Sequence, residues 1–467
     1  MVDQIYPSAD VPQEPLEEGR LSRGFVASVQ AALVAEDFEA ARSLVAPLHP
    51  ADIADLFALV PENARAQLAS AIGEALDAAV IAELDDYVRE DVLADMSANE
   101  VADVVTRLDT DDAVAIIEDM EAGEQREVLD ALAPADRADI EAALKYPEES
   151  AGRLMQRELV TVTEAMSIAD VFAHVRASTD PATDFWEIFV IDAARKPVGT
   201  MRLSWLLTTP REVAVSDIMQ REQTLIPVTM DQEEVALIFQ KYGLISAAVV
   251  DYGGRLVGVI TVDDIVHIIQ QEAGEDVLKL SGAGDGDINE PILTTFSTRA
   301  RWLITNLGTG LIAASIIASF SATIEQLVVL AALSPIVASV GGNAGNQTMA
   351  VTVRALATNQ LTEANTRRTI WREVQVALLN GLAIAALMGI GTALVFSNAL
   401  LGLVIAAAML FNILIAGLAG VLVPVTLERL EADPAVASSV FVTMITDSMG
   451  FFAFLGLATL VGVTRLG

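Results

Sequence analysis

The 467-residue chain is long enough for two or three domains, and 53% of its residues are hydrophobic although its formal net charge is −36. This acidity argues against nucleic acid as a partner, because contacts with phosphates need a basic surface. The absence of cysteine excludes disulfides and thiolate metal sites.

The apolar and the charged residues lie in different parts of the chain. Residues 302–467 carry seven acidic and six basic side chains, which leaves −35 of the net charge in residues 1–301. The sequence therefore predicts an acidic soluble half followed by an apolar membrane half. The acidity fits either metal cations as ligands or plain solubility, and charge alone leaves both open.

The first 148 residues predict a short tail and a helical repeat. Residues 1–23 lack the basic start and apolar stretch of a signal peptide, so we expect a disordered tail in the cytoplasm. Residues 24–148 repeat a large apolar residue every 12 positions, as at Leu48, Val60 and Ile72, with polar runs between them. This period predicts an acidic stack of short helices, a small α-solenoid.

Residues 149–269 change to β-rich runs that alternate with amphipathic helices, and the order strand, helix, strand, strand, helix occurs twice. This duplicated α/β unit resembles the tandem CBS (Bateman) module. The segment Gly258–Asp264 resembles its ribose-binding signature, which implies a nucleotide such as ATP on Thr261 and Asp264. The first copy lacks the aspartate, so a nucleotide site would be single, and a purely structural module remains the alternative.

Residues 270–300 predict a connecting helix and a linker. Glu272 and either Glu275 or Asp276 are three or four positions apart and share one helix face. Like charges so placed repel and favour a bound cation, whereas the simpler interpretation is a solvated helix. The glycine-rich segment 281–287 then ends the helix before the membrane half.

The membrane half, residues 301–467, contains stretches of the length that crosses a bilayer as a helix. The five predicted spans are 302–324, 327–353, 374–398, 400–427 and 437–463. Seven arginines flank the side that would face the cytoplasm and one flanks the other side. This bias places the N-terminus inside and the C-terminus outside.

Asp447 is the single formal charge inside the five predicted spans. A charged side chain at this depth costs about 2.5–3.5 kcal/mol, and such residues usually face a bundle interior or a water path. A cation or a proton would satisfy it; the alternative is a structural carboxylate capped by Thr443, Thr446 and Ser448.

The second predicted span is interrupted by small and polar residues, Gly341 to Gln347. Its glycines permit either local unwinding or close helix packing. Its carbonyl and carboxamide oxygens, including that of Asn343, are of the type that suits hydrated Mg²⁺.

The order of these parts resembles the MgtE family of bacterial Mg²⁺ channels over nearly the whole chain. The motifs that carry the resemblance are Tyr146-Pro147-Glu148, Arg301-Trp302, Gly341–Gln347, Arg354–Thr358 and Thr446–Gly450. The resemblance implies a mainly α membrane protein of the bacterial inner membrane, with a cytoplasmic solenoid, a CBS pair and five transmembrane helices.

The resemblance also implies a homodimer with its pore on the dimer axis, where Asp447 and Asn343 hold hydrated Mg²⁺. Cytoplasmic Mg²⁺ would close the pore by bridging acidic surfaces of the solenoid, the CBS module and the connecting ("plug") helix. The carboxylates so implied are Asp103, Asp231, Glu233, Asp264, Glu272, Glu275, Asp276 and Asp433. His267, Gly243 and Asn99 stand where carboxylates are expected, which points to fewer regulatory ions.

Two other functions remain open from sequence. In a proton-coupled transporter of Mg²⁺ or Co²⁺, Asp447 would carry protons; in a membrane sensor, CBS ligand binding would be signalled without transport. An enzyme is not expected, because the sequence has no nucleophile–base motif and its three histidines are scattered. The choice among Mg²⁺, Mn²⁺, Co²⁺ and Ni²⁺ stays open, although the lack of cysteine disfavours soft ligation.

Overall fold

The computed structural model describes residues 15–17, 19–94, 96–178, 185–282, 289–362, 364–430 and 432–462, without the side chains of residues 17, 74, 276 and 437. The chain divides into two compact units, Met1–Gln270 and Gln271–Gly467. Most of the predicted disordered tail lies outside the described residues. Its end is ordered, since β1 (Leu16–Glu17) and β2 (Arg20–Leu21) pair as an antiparallel hairpin.

The first part of unit 1 is a stack of short helices, as the 12-residue repeat predicts. Within the described residues these helices are α1 (Arg23–Val34), α2 (Phe38–Val45), α3 (Pro50–Leu59), α4 (Glu62–Ile72), α5 (Ala78–Ala82), α6 (Asp86–Leu93), α7 (Ala98–Val105), α8 (Thr110–Glu118), α9 (Ala122–Ala131) and α10 (Pro134–Ala143). The repeated apolar residues, among them Val60 and Ile72, lie in or against one core. The polar runs between them start helices; Ser97 and Glu100, for example, cap α7 reciprocally.

The second part of unit 1 is the predicted duplicated α/β module. Its first copy comprises β3 (Thr161–Thr163), α11 (Ile168–Ser178), β4 (Glu187–Ile191), β5 (Pro197–Arg202) and α12 (Leu203–Thr208). A one-turn helix, α13 (Val215–Ile218), follows. The second copy comprises β6 (Leu225–Pro227), α14 (Gln232–Tyr242), β7 (Ser246–Val250), β8 (Leu256–Thr261) and α15 (Val262–Ser281). In both sheets the first strand is parallel to the second and the second antiparallel to the third. Even the register shift falls at the equivalent point of both copies, which confirms the duplication.

Unit 2 contains the end of α15 and the apolar helices. They are α16 (Ile292–Ser319), α17 (Ser321–Gln326), α18 (Val329–Ala357), α19 (Thr366–Val395), α20 (Ala399–Arg429) and α21 (Pro434–Val461). The predicted tight hairpin between the third and fourth spans is present, and Asn398 caps α20 by accepting a hydrogen bond from the amide of Leu401 at 3.0 Å.

Within the described residues, four of the five predicted spans are helices both long and apolar enough to cross a membrane: α16, α19, α20 and α21. The remaining predicted span is α18, whose 29 residues reach about 43 Å at 1.5 Å per residue. Its length suffices, but the small and polar residues in its middle lower its apolar character.

Candidate ion pathway and acidic clusters

The glycines of α18 serve close helix packing. The helix is continuous from Val329 to Ala357, so local unwinding does not occur. A Cβ added at Gly345 would lie 2.6 Å from Cγ1 of Val442, and one at Gly342 would lie 3.9 Å from Oγ1 of Thr446. The small residues therefore let α18 approach α21 closely, next to Asp447.

The opposite face of α18 carries a polar stripe, which we define as Ser339, Asn343, Asn346 and Gln347. These residues follow one another at helical spacings of four, three and one positions, and all four are exposed in the single chain. Polar side chains in the middle of an apolar bundle are tolerated where they meet water or another protein surface. The stripe thus marks the face of α18 on which ions or a partner would be met.

Asp447 lies on α21, half-buried, and none of the described residues forms a hydrogen bond or ion pair with it. The hydroxyl of Thr446 donates to the carbonyl of Thr443 at 3.1 Å, and the hydroxyl of Ser448 is buried without a hydrogen-bond partner in the described part of the chain. The structural alternative, a carboxylate capped by its neighbours, is therefore not supported. Asp447 and Asn343 share no hydrogen bond within one chain.

In unit 1, Asp264 and Thr261 bond to each other at the start of α15. The Thr261 hydroxyl donates to Oδ2 of Asp264 at 2.6 Å, and Nε2 of Gln156 donates to the same oxygen at 3.2 Å. The two residues of the ribose-like signature are thus already engaged, and Gln156 occupies the polar position beside them.

Two aspartates of the solenoid face Asp264, and we call Asp111, Asp112 and Asp264 the acidic cluster. Burial, followed by repulsion from Asp264, raises the pKa of Asp111 well above its usual value and that of Asp112 to about 6. Burial also raises the pKa of Asp264. One oxygen of Asp111, Oδ1, is buried without a hydrogen-bond partner among the described residues. The cluster is therefore short of positive charge.

Other polar contacts hold the solenoid on the loop that leads into β3 of the CBS module. The Thr110 hydroxyl donates to Oε1 of Glu158 at 2.7 Å, and Arg157 donates to Oδ1 of Asp139 at 2.8 Å. A third contact joins Arg153 to Glu118. The acidic cluster thus lies in the interface between the solenoid and the CBS module, which hydrogen bonds and ion pairs already stabilise.

The other predicted regulatory residues of unit 1 lie elsewhere. Asp103 is exposed on α7, and Asp231 caps α14 by accepting a hydrogen bond from the amide of Glu233 at 2.9 Å. The side chain of Glu233 is partly buried. Asp264 alone of the predicted regulatory carboxylates of this unit lies in the acidic cluster.

In unit 2 a lysine lies between two predicted regulatory carboxylates. Nζ of Lys279 is 2.6 Å from Oε2 of Glu275 and 3.5 Å from Oδ2 of Asp433, which also caps α21. Partial burial alone would lower the pKa of Lys279, but Glu275 and then Asp433 raise it above its usual value. We call these three residues the lysine bridge; it joins the end of α15 to the start of α21. Glu272 lies partly buried on the same helix, and the side chain of Asp276 lies outside the described residues.

Sequence reasoning missed Asp111, Asp112 and Lys279 as site residues. The signals were present, because an acidic run opens α8 and Lys279 follows Glu275 by four positions. Within the described residues no group of three or more His, Cys, Asp or Glu side chains is arranged to hold a metal ion directly. Mg²⁺ needs no such cage, because it binds one or two carboxylates and keeps several waters.

An acidic helical unit with an α/β module, followed by long apolar helices that carry an unpaired carboxylate, is the architecture of a membrane transporter of cations. Comparison with known sequences agrees: the family pattern "MgtE: Divalent cation transporter" matches residues 334–457, "MgtE intracellular N domain" residues 48–149 and "CBS domain" residues 215–271. The chain belongs to the MgtE family.

Two relatives illustrate the similarity. The chain is 30% identical over 440 residues to the magnesium transporter MgtE of Thermus thermophilus, covering 93% of this chain and 98% of the relative. It is 29% identical over 419 residues to that of Bacillus subtilis, covering 90% and 93%. Among solved structures, the cytosolic domain of the Mg²⁺ channel MgtE in complex with ATP matches 52% of this chain and 99% of its own, with 28% identity and a TM-score of 0.48.

Proposed function

We propose that this protein carries Mg²⁺ across the membrane through a pathway lined by Asp447 of α21 and the polar stripe of α18. The observation that carries the proposal is Asp447, a half-buried carboxylate in an apolar helix that has no partner among the described residues. An ionised carboxylate there needs a cation, and a hydrated Mg²⁺ supplies charge and donors together. The relatives named magnesium transporters support Mg²⁺ as the ion.

The pathway requires a second copy of the chain. The polar stripe and Asp447 are open in the single chain, and lipid would leave them unsatisfied. Two copies related by a twofold axis would enclose both features and face one Asp447 with the other. Two carboxylates so placed repel each other unless a cation lies between them, which makes the homodimer and the ion site one proposal.

In this proposal α18 also crosses the bilayer, which brings the number of spans to five. It can do so because its polar stripe faces the dimer axis and not lipid. Five spans place the C-terminus on the side opposite the N-terminus. The arginine bias assigns the N-terminal side to the cytoplasm, and we assign the protein to the bacterial inner membrane.

Cytoplasmic Mg²⁺ closes the pathway through the acidic cluster. At low Mg²⁺ the repulsion among Asp111, Asp112 and Asp264 opposes docking of the solenoid on the CBS module. A hydrated Mg²⁺ would offset that repulsion, and its preference for the docked state would shift the equilibrium toward it. Asp103, Asp231 and Glu233 lie outside this cluster and remain, in the proposal, further carboxylates on which Mg²⁺ would act.

The connecting helix transmits the docked state to the pore. The lysine bridge ties the end of α15 to α21, the helix that carries Asp447. Glu272 and Asp276, which the sequence predicts on one face of the same helix, are further carboxylates of the proposal on which Mg²⁺ would act. ATP remains a second regulatory ligand of the proposal, at Thr261 and Asp264, where its ribose would displace Gln156.

The test is Mg²⁺ flux into liposomes that contain purified full-length protein, with Asp447→Asn compared with wild type. We expect the variant to lose most of the flux, because a carboxamide keeps the size but not the charge. Glu325→Gln, on the short helix α17, is the matched control and should keep the flux. Full flux in Asp447→Asn would refute the pathway, and flux that depends on a pH gradient would favour the proton-coupled transporter.

A further inference from the structure

Asn412 is a buried polar residue near the middle of α20. Its side chain is fully buried, and its Nδ2 donates to the backbone carbonyl of Val337 on α18 at 2.9 Å. Because a carbonyl only accepts, this bond fixes which end of the carboxamide is nitrogen. The other end, Oδ1, is buried without a hydrogen-bond partner among the described residues.

The carboxamide of Asn412 fills a space left by two glycines on two other helices. A Cβ at Gly341 of α18 would lie 2.0 Å from Nδ2 of Asn412, and a Cβ at Gly450 of α21 would lie 2.6 Å from the same atom. Both helices therefore need a glycine where they meet this side chain. Gly450 lies one helical turn after Asp447, and Gly341 lies two residues before Asn343.

The energetics argue against a stabilising role for Asn412. A hydrogen bond between helices in a membrane contributes on average about 0.6 kcal/mol, whereas a buried acceptor without a partner costs about 1–3 kcal/mol. A leucine of similar size would avoid that cost. On balance, Asn412 therefore lowers the stability of the folded protein relative to leucine. What it provides and leucine cannot is a directed hydrogen bond to α18.

We infer that Asn412 is a positioning residue that fixes α18 against α21, and so sets where Asp447 lies relative to the polar stripe. This inference deepens the proposed function and rests on it. The hydrogen bond to the Val337 carbonyl fixes the orientation of the carboxamide. The carboxamide in turn sets how closely α18, at Gly341, and α21, at Gly450, can approach α20. A change there should move the ion site without removing any of its ligands.

The first experiment measures Mg²⁺ flux into liposomes for full-length Asn412→Leu, with Ile413→Leu as the control at the adjacent buried position. We expect the Mg²⁺ concentration for half-maximal flux to rise about tenfold in Asn412→Leu, as for residues that orient metal ligands. Discrimination against Ca²⁺ should fall as well. Ile413→Leu should change neither, and a loss of packing alone would lower the amount of folded protein without changing either quantity.

The second experiment uses the absence of cysteine in the chain. Gly342→Cys and Thr446→Cys together place thiols on α18 and α21, where the wild-type contact is close. Oxidation in native membranes should cross-link them efficiently, and less efficiently when Asn412→Leu is added. If Asn412→Leu does not fold, Asn412→Ser takes its place. Serine is polar but too short to bond to the carbonyl of Val337 in the same way.

The outcomes separate the inference from the proposed function. Unchanged cross-linking and unchanged half-maximal Mg²⁺ in the Asn412 variants would overturn the inference even if Asp447→Asn abolishes flux. Reduced cross-linking combined with normal flux in Asp447→Asn would instead overturn the proposed pathway, while the positioning of α21 by Asn412 would stand.

Discussion

At the residue scale, the acidic side chains of this protein differ in what surrounds them. Asp231 caps a helix, and Asp433 caps another while it contacts Lys279. Asp112 is partly buried beside Asp264 with little compensating positive charge, and Asp447 has no partner among the described residues. Only the last two environments favour a bound cation strongly, because a carboxylate with donors or a lysine nearby is already stabilised.

Asp112→Asn should change how stability depends on pH in the Mg²⁺-free protein. Burial and repulsion from Asp264 raise the pKa of Asp112 from 3.8 to about 6, so the folded state holds this proton more tightly than the unfolded state. The stability that the protonated Asp112 side chain contributes is present at low pH and is lost as the pH rises from about 4 to about 6. Thermal melting of full-length protein in detergent should show the variant to be more stable than wild type above pH 6.

The control for this measurement is Glu127→Gln, which removes an equal charge from an exposed position on α9 of the solenoid. Its melting curve should follow the pH dependence of wild type. Added Mg²⁺ should raise the melting temperature of wild type above pH 6 more than that of Asp112→Asn. Parallel pH profiles for wild type and Asp112→Asn would contradict the account of the acidic cluster.

At the element scale, α15 and α18 each carry two distinct features. The start of α15 carries Asp264 of the acidic cluster, and its end carries Lys279 of the lysine bridge. The glycine face of α18 packs on α21, and its polar stripe is open. One helix can combine two such features because its ends and its faces lie against different elements.

Lys279→Met should make closure more dependent on Mg²⁺. The lysine contacts both Glu275 and Asp433, so without it these carboxylates repel until Mg²⁺ offsets their charge. A partly exposed ion pair contributes about 0.2–1 kcal/mol, so internal Mg²⁺ should have to rise about twofold to fivefold for half-maximal block. The measurement is patch-clamp recording of Mg²⁺ block from the cytoplasmic side.

Lys196→Met is the matched control, since Lys196 is exposed in the turn between β4 and β5. It removes the same charge and should leave the block unchanged. A Lys279→Met channel that closes at the same Mg²⁺ concentration as wild type would show that the lysine bridge does not take part in gating.

At the scale of the whole molecule, the number of spans decides where each loop lies. Four helices satisfy length and apolar content by themselves, and α18 satisfies length only. In the proposed homodimer the polar stripe of α18 faces the partner, so α18 can cross the bilayer despite its composition. With α18 outside the bilayer, every loop after it would change sides.

Single cysteines at Ser397 and Gln360 would test this arrangement in a chain that has none of its own. Five spans put Ser397, in the hairpin between α19 and α20, outside, and Gln360, after α18, inside. A membrane-impermeant maleimide should therefore label Ser397→Cys in spheroplasts, and Gln360→Cys only after permeabilisation. The reverse pattern at Ser397 would mean that α18 does not span.

The sequence by itself determined the local and periodic features of this protein. The 12-residue repeat predicted short helices, and the duplicated strand order predicted two equivalent sheets; the apolar runs predicted long helices. Asp447 also stood out in sequence, because a lone charge is conspicuous wherever the surrounding residues are apolar. These features depend on neighbours in the chain, so a linear pattern is enough to reveal them.

The tertiary structure alone decided which distant residues meet. It placed Asp111 and Asp112 against Asp264, although the solenoid acids look alike in sequence. It put Lys279 between Glu275 and Asp433, and it set Asn412 between Gly341 and Gly450. The physical reason is that a charge or a carboxamide takes its function from groups on other elements, and their approach is fixed only when the chain packs.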